Sequence, residues 1–203
     1  MSIHELIEHM QSNEVLSSPE IVEAFSSISR ETFLPEEYKS FAGEDRPLNI
    51  GYGQTNSQPS TVAFMLELLQ PQTGDTVLDV GAGSGWTTAL LAHIVGKKGR
   101  VYGVEIVEEL VEFGNNNLKL LSVKNASIQL ADKEIGLASK APFDRILVSA
   151  AAQNMPQALI DQLAFGGRMV LPIDYSIWSL DKQADGSIDT NEYPGFAFVP
   201  LRE

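Results

Sequence analysis

A glycine-rich segment at the junction of a strand and a helix constrains the fold of this chain more than any other feature. The short apolar run Thr76–Val80 is typical of a strand, and a helical pattern begins at Trp86. Between them lie five small residues, Gly81, Ala82, Gly83, Ser84 and Gly85. Glycines at such a junction allow a sharp turn and let a ligand approach backbone amides without an intervening Cβ. The segment predicts a nucleotide-like ligand, with a tight turn that binds nothing as the alternative.

Strand-like and helical patterns alternate from Thr76 onward. The strand-like runs are Thr76–Val80, Arg100–Glu105, Ala126–Leu130, Asp144–Ser149 and Arg168–Leu171. The helical stretches among them are Trp86–Val95, Val107–Leu121 and Pro156–Leu163. Such alternation predicts an α/β fold with a doubly wound, mostly parallel, Rossmann-like sheet. A hairpin formed by Ile177–Lys182 and a strand from Ile188 predicts an antiparallel C-terminal edge, followed by a last apolar strand over Phe196–Leu201.

Residues 1–58 form an extension to this core. They contain two short helical patterns, one from Ile3 to Met10 and one from Pro19, for which Ser18 is a candidate N-cap. The segment from Arg30 to Asn56 is irregular, and a further helix is expected from about Pro59. Because 203 residues suit one α/β domain, we expect a single domain over 1–203, with N-terminal helices in 1–58 and the Rossmann-like core in 59–203.

The glycine spacing and the acidic residues narrow the ligand class. The segment follows G-x-G-x-G and not the G-x-G-x-x-G spacing that binds a pyrophosphate, which disfavours a dinucleotide. Glu105, followed by Ile106, ends the next strand, where a carboxylate commonly accepts from ribose hydroxyls. Asp79 is expected either to pair with a cationic amino or sulfonium group or to bind only loop amides. Asp132 either reaches a bound adenine or is a solvated turn residue.

Composition disfavours several other functions. The formal net charge of −13 repels a polyanion at long range, which weighs against nucleic acid as a partner. The chain has no cysteine, and its three histidines lie on predicted helices without metal-ligand spacing, so no metal site is expected. Neither a signal-peptide pattern nor an apolar run of membrane-spanning length is present, so we expect a cytoplasmic protein without a membrane partner.

Blocks along nearly the whole chain resemble one enzyme family. The segment from Val77 to Trp86, together with Glu105, is similar to the first motifs of Rossmann-type methyltransferases. Further matching blocks are Arg30–Pro35, Pro47–Pro59, Val62–Met65, Ala141–Asp144, Gln162-Leu163, Gly166–Arg168 and Phe198–Leu201. With these blocks the chain resembles the protein-L-isoaspartate O-methyltransferases, which use S-adenosyl-L-methionine to repair damaged aspartyl residues.

The resemblance implies a reaction and a set of site residues. A methyl group moves from S-adenosylmethionine to the free α-carboxylate of an L-isoaspartyl residue in a damaged protein or peptide, and the enzyme is expected to be a monomer. Ser57 matches the active-site residue of the family. The expected substrate contacts are Gln54, Thr55, Asn56, Val199 and Pro200. The expected cofactor contacts are Asp79, Gly81, Ala82, Gly83, Ser84, Gly85, Glu105, Ile106 and Asp132.

Three departures from the family pattern leave alternatives open. Asn56 stands where an apolar residue is usual, Trp86 replaces a frequent tyrosine, and Ala131-Asp132-Lys133 stands in place of Gly-Asp-Gly. The alternatives are a methyltransferase for a dedicated peptide, a small molecule or tRNA, and a protein that binds S-adenosylmethionine without catalysis. For Ser57, the structural alternative is a cap of the helix that begins near Pro59.

Overall fold

A seven-stranded sheet forms the centre of the structure, a computed structural model that describes residues 2–201. The strands are β1 (Leu48–Gly51), β2 (Gln54–Asn56), β3 (Thr76–Val80), β4 (Arg100–Glu105), β5 (Ala126–Leu130), β6 (Phe143–Val148), β7 (Leu163–Ile173), β8 (Ser176–Lys182) and β9 (Ile188–Pro194). The α-helices are α1 (Ile3–Ser12), α2 (Pro19–Ser27), α3 (Pro59–Leu69), α4 (Trp86–Val95), α5 (Glu108–Leu120) and α6 (Gln157–Gln162). Short 3₁₀-helices span Arg30–Phe33, Glu36–Phe41 and Ala138–Lys140.

The strand order in the large sheet is β5-β4-β3-β6-β7-β8-β9, while β1 and β2 form a separate hairpin. Strands β5, β4, β3, β6 and β7 run parallel, and β8 and β9 are antiparallel to their neighbours. The predicted mostly parallel sheet with an antiparallel C-terminal edge is confirmed. The order reverses beside β3, because the chain first extends outward to β4 and β5 and then returns to β6. Open α/β sheets bind ligands outside the carboxyl ends of the strands at such a point.

The sheet is covered on both faces because side chains alternate along each strand. In β3, Val77 belongs to the apolar core that includes α1 to α4, and Leu78 belongs to the core that includes α6. Phe25 of α2, Leu66 of α3 and Leu159 of α6 are fully buried in these cores. Each such side chain stabilises the fold by about 1.5–3 kcal/mol relative to exposure. The N-terminal helices therefore share one core with the sheet, whereas the β1–β2 hairpin packs on α5 in a smaller cluster of Leu34, Leu48, Ile50 and Leu110.

Two predictions of local structure need correction. The segment up to Asn56 is not wholly irregular, because it contains the β1–β2 hairpin, in which Leu48 pairs with Asn56. These strands have four and three residues, too few for a periodic pattern to be visible in the sequence. The expected last strand over Phe196–Leu201 is wrong, since this segment contacts the sheet end through a single bridge between Ala151 and Pro200. Its apolar residues serve packing instead: Phe196 stacks on the ring of Phe64.

Ser18 occupies the N-cap position of α2 as predicted, but its side chain makes no capping hydrogen bond. Its hydroxyl donates instead to Glu67 Oε2 of α3 over 2.6 Å. The serine therefore ties α2 to α3. Strand β7 starts at Leu163, five positions before the predicted Arg168, with an irregular register opposite β6 at its start. Within residues 2–201, none of the helices combines the length and apolar character needed to cross a membrane.

Candidate active site

A cleft opens at the carboxyl ends of β3, β4, β5 and β6, where the sheet order reverses. It encloses about 1010 Å³, counting the space that opens to solvent. The predicted residues that line it are Gln54, Thr55, Asn56, Ser57, Gly81, Ala82, Gly83, Ser84, Glu105, Ile106, Asp132, Val199 and Pro200. The fold thus brings together three segments that are far apart in the sequence, namely the hairpin strand β2, the glycine segment and the C-terminal residues.

Backbone hydrogen bonds and positive φ angles shape the glycine segment. Gly81 and Gly83 have φ angles of 80° and 52°, which glycine adopts without strain. The N–H groups of Gly81 and Ala82 both donate to the carbonyl of Val104, over 2.9 and 3.1 Å. A Cβ on Gly83 would lie only 3.2 Å from the Ile50 side chain of β1. The segment is therefore fixed between β4 and the hairpin.

Glu105 anchors this segment from the end of β4. Its side chain is 5% exposed, and its Oε2 accepts from the N–H of Gly83 over 2.9 Å. Its Oε1 accepts from the N–H groups of Ile106 and Val107, over 2.8 and 3.0 Å. A carboxylate offers about four acceptor positions, so one position at Oε2 remains for a further donor in the cleft. The next residue, Ile106, presents an apolar side chain to the cleft with 44% of it exposed.

Asp79, a predicted ligand contact, lies behind the cleft wall. Asp79 is fully buried, and its Oδ2 accepts from the hydroxyls of Thr87 and Thr88 over 2.8 and 2.6 Å. Within the described residues its Oδ1 has no hydrogen-bond partner. Burial raises the pKa of Asp79 to about 6, although the two hydroxyls act in the opposite direction. In place of the expected contact with a cationic group or with loop amides, Asp79 binds the first turn of α4.

Gly85 has a packing role. Its φ angle is 90°, and a Cβ there would lie 3.0 Å from Ile128 Cδ1 and 3.3 Å from the carbonyl of Gly114. The absence of a side chain at Gly85 therefore lets the turn pack closely on β5 and α5. Gly85 does not line the cleft, in contrast to the sequence-based expectation that it contacts the cofactor.

Arg30 holds the substrate segment Gln54–Ser57 in place, a role that the sequence analysis missed. Its side chain is 1% exposed, and its Nε donates to Asn56 Oδ1 over 2.8 Å. Its terminal nitrogens donate to the main-chain carbonyls of Ala42, Glu44, Arg46, Asn56 and Ser57. The guanidinium also lies 5.3 Å from the ring centre of Trp86. Burial lowers the pKa of Arg30 to about 10, so the side chain stays charged at neutral pH.

Ser57 lines the cleft at the end of this segment and is half-buried. Helix α3 begins at Pro59 with Gln58 in the N-cap position, so Ser57 lies outside the cap. The first turn is instead satisfied by Asp45, whose Oδ1 accepts from the N–H of Ser60 over 2.9 Å. The helix-cap alternative for Ser57 is therefore wrong.

The outer wall of the cleft is the segment Ala131–Gly136, which follows β5. Asp132 is exposed and lines the cleft, consistent with either of its predicted roles. Gln162 of α6 fixes the far end of the segment: its Oε1 accepts from the N–H of Leu137 over 2.7 Å, and its Nε2 donates to the carbonyl of Ile135 over 2.9 Å. The buried glutamine thereby joins this wall to the helix layer.

Other cleft residues were not predicted. They include Trp86, Thr87, Ser149, Ala150 and Leu201. Ser149 and Ala150 directly follow β6, and the preference of ligands for the carboxyl ends of parallel strands would have identified them. Trp86 and Thr87 open α4; Trp86 stood out in the sequence only as a departure from the family pattern, and Thr87 carried no distinguishing signal.

The whole chain matches a known protein family. The family model described as protein-L-isoaspartate(D-aspartate) O-methyltransferase matches residues 1–203. The chain belongs to this family. A protein-L-isoaspartate O-methyltransferase from Aeropyrum pernix is 43% identical, over 97% of this chain and 77% of that protein. One from Pyrococcus horikoshii is 41% identical, over 96% of this chain and 90% of that protein.

Solved structures of the isoaspartate methyltransferase family share the fold. One protein-L-isoaspartate O-methyltransferase superposes with a TM-score of 0.89 at 28% identity, covering 100% of this chain and 66% of that chain. A Plasmodium falciparum protein assigned as a protein-L-isoaspartate O-methyltransferase was crystallised in complex with S-adenosyl-L-homocysteine. It superposes with a TM-score of 0.86 at 25% identity, covering 98% of this chain and 97% of that chain. The resemblance drawn from the sequence blocks is confirmed.

Proposed function

We propose that this protein transfers the methyl group of S-adenosylmethionine to the free α-carboxylate of L-isoaspartyl residues in damaged proteins or peptides. The observation that carries the proposal is the cleft, where the glycine segment and Glu105 share one cavity with Gln54–Ser57. Membership of the isoaspartate methyltransferase family over residues 1–203 supports the same activity. The nitrogen of the isopeptide linkage then attacks the ester carbonyl and methanol leaves, which closes a succinimide that water hydrolyses partly to normal aspartate.

The cleft wall has the chemistry that an adenosyl sulfonium cofactor requires. Glu105 keeps an acceptor position at Oε2, which suits a ribose hydroxyl. The exposed side chain of Ile106 suits the flat apolar face of an adenine, and the carboxylate of Asp132 suits its exocyclic amino group. These residues would hold the methyl donor, which supplies an electrophilic methyl group on a sulfonium sulfur.

The expected nucleophile needs no general base. Carboxyl groups titrate near pH 4 (about 3.5–4.3), so the isoaspartyl carboxylate is ionised at neutral pH. One of its oxygens attacks the methyl carbon while the carbon–sulfur bond breaks and the electron pair stays on sulfur. The protein contributes position and partial removal of water. The Ser57 hydroxyl donates to the carboxylate and holds it in line, and it forms no covalent bond.

Arg30 supports this role of Ser57 from behind. Its Nη2 donates to the carbonyls of Asn56 and Ser57, over 3.2 and 2.9 Å, and so fixes the main chain that carries the hydroxyl. Arg30 does not line the cleft. It therefore acts through the main chain and not on the substrate.

The test is methylation of two short peptides that differ only in one isoaspartyl or aspartyl linkage, with labelled S-adenosylmethionine. We expect label on the isoaspartyl peptide alone, in a form that alkaline treatment releases as methanol, because the product is an ester. Inert peptides together with a labelled small molecule or tRNA would show that the substrate class is wrong. Tight binding of S-adenosylhomocysteine without turnover of either peptide would favour a non-catalytic binding protein.

The remaining expectations from the sequence stay predictions. They are a cytoplasmic location, a monomeric state, a single domain over 1–203, and the absence of nucleic-acid and membrane partners. The net charge of −13 continues to support the expectation on nucleic acid, because phosphate groups would be repelled.

A further inference from the structure

We propose that Asn56 is a positioning residue that couples the substrate segment to the cofactor loop. The inference rests on the proposed methyl transfer and names a device within the same site. The Asn56 side chain is 5% exposed and lies between Arg30 and Ser84. Its Oδ1 accepts from Arg30 Nε over 2.8 Å, and its Nδ2 donates to Ser84 Oγ over 3.2 Å.

Chemistry fixes the orientation of the Asn56 amide. A guanidinium only donates hydrogen bonds, so the atom that faces Arg30 must be the amide oxygen. The amide nitrogen then faces Ser84, and the Ser84 hydroxyl must accept there. A reversed amide would set donor against donor inside a buried site, which costs about 1–3 kcal/mol. The bond between the two segments therefore has one direction.

The two segments that this bond joins are anchored separately. On the substrate side, Arg30 holds the main chain at Asn56 and at the adjacent Ser57. On the cofactor side, Glu105 accepts from the N–H of Gly83, the residue before Ser84. Asn117 of α5 donates to the Ser84 carbonyl over 3.0 Å. Among the hydrogen bonds of residues 2–201, the one from Asn56 to Ser84 connects Gln54–Ser57 with the glycine segment.

This connection bears on the rate because methyl transfer is sensitive to distance. Direct transfer requires the carboxylate oxygen and the methyl carbon to be held about 3–3.5 Å apart and in line, and an error of about 1 Å can cost about a hundredfold in rate. Ser57 orients the substrate carboxylate, and the glycine segment holds the methyl donor. The separation of the two segments therefore sets the separation of the reactants, and Asn56 sets the separation of the segments.

Three variants test the coupling. Asn56→Leu keeps the size of the side chain and removes both of its hydrogen bonds. Ser84→Ala removes the same connection from the other side and leaves Arg30 with its acceptor, so it tests the bond even if Asn56→Leu folds poorly. Asn125→Leu is the control, because it deletes a partly buried side-chain amide that donates to the carbonyls of Ala92 and Gly96 at the end of α4, away from the cleft and from both segments.

We expect Asn56→Leu and Ser84→Ala each to lower kcat on the isoaspartyl peptide about two- to tenfold, the equivalent of one neutral hydrogen bond. The affinity of Asn56→Leu for S-adenosylhomocysteine should change less than about twofold, because Asn117 and Glu105 still hold the loop. The double variant should be no slower than the slower single variant. Asn125→Leu should lower the melting temperature and keep kcat within about twofold of wild type.

The inference is overturned if Asn56→Leu turns over normally, if the two losses multiply in the double variant, or if Asn125→Leu loses as much kcat as Asn56→Leu. The last result would show that general destabilisation of the fold explains the effect. Failure of the proposed function is separate, because it would appear as an inert wild-type enzyme with the same peptide.

Discussion

Replacing Glu105 by glutamine isolates the charge that anchors the cofactor loop. The substitution keeps the length and shape of the side chain. The remaining oxygen can still accept from the N–H groups of Ile106 and Val107, as Oε1 does now over 2.8 and 3.0 Å. The new NH₂ group then faces the N–H of Gly83, where Oε2 now accepts over 2.9 Å. Two donors would oppose each other in a buried site, and the loop must shift.

The size of the effect follows from these contacts. A hydrogen bond to a charged group is worth about 1.5–3 kcal/mol, so S-adenosylhomocysteine should bind about 10- to 150-fold more weakly to Glu105→Gln. The donor pair should also lower the free energy of unfolding by about 1–3 kcal/mol. Isothermal titration calorimetry measures the first quantity, and urea denaturation without ligand measures the second.

Glu109→Gln is the matched control, because it removes the same charge from an exposed position in the first turn of α5. Both quantities should stay within about 0.5 kcal/mol of wild type in this control. A dissociation constant for Glu105→Gln within a factor of two of wild type would refute the assignment of Glu105 as the loop anchor and ribose acceptor.

Three further predictions concern Ser57, Asp79 and Gly85. Ser57→Ala should lower kcat on an isoaspartyl peptide about 10- to 150-fold, because a hydrogen bond to the charged carboxylate is lost. The melting temperature should not change, because Asp45 caps α3. Normal turnover with a lower melting temperature would contradict this prediction. Burial raises the pKa of Asp79 from 3.8 to about 6. Between these two pH values the folded protein keeps a proton on Asp79 that the unfolded chain has released. The free energy of unfolding therefore falls as the pH rises through this window. The free energy of unfolding of Asp79→Asn relative to wild type should therefore rise by about 1 kcal/mol between about pH 5 and 7, and a pH-independent difference in denaturation curves would exclude this titration. Gly85→Ala should lower the free energy of unfolding by about 1–3 kcal/mol more than Gly166→Ala does. Both glycines have positive φ angles, but of the two only Gly85 has atoms within 4 Å of an added Cβ. Equal losses would show that φ strain alone is responsible.

The sequence located the parts of the site that depend on neighbours in the chain. The glycine segment after β3 and Glu105 at the end of β4 line the cleft as expected, because a strand-to-helix turn and a strand end are local features. Gly85 and Asp79 show the limit of that approach. Whether a residue within a loop motif faces the ligand or the core depends on what packs behind it, which is α5 for Gly85 and the first turn of α4 for Asp79.

By itself, the sequence determined the alternation of strands and helices, the parallel sheet with its antiparallel edge, and the family to which the chain belongs. Periodicity and motif spacing carry that information because they repeat over short distances. Only the tertiary structure decided that Arg30 holds residues from two later segments, 42–46 and 56–57, that Asp45 caps α3, and that Asn56 reaches Ser84. These contacts join residues that are 12 to 28 positions apart, and burial from water gives them their strength. No local pattern encodes such contacts, because they exist only after the sheet and the hairpin have closed around them.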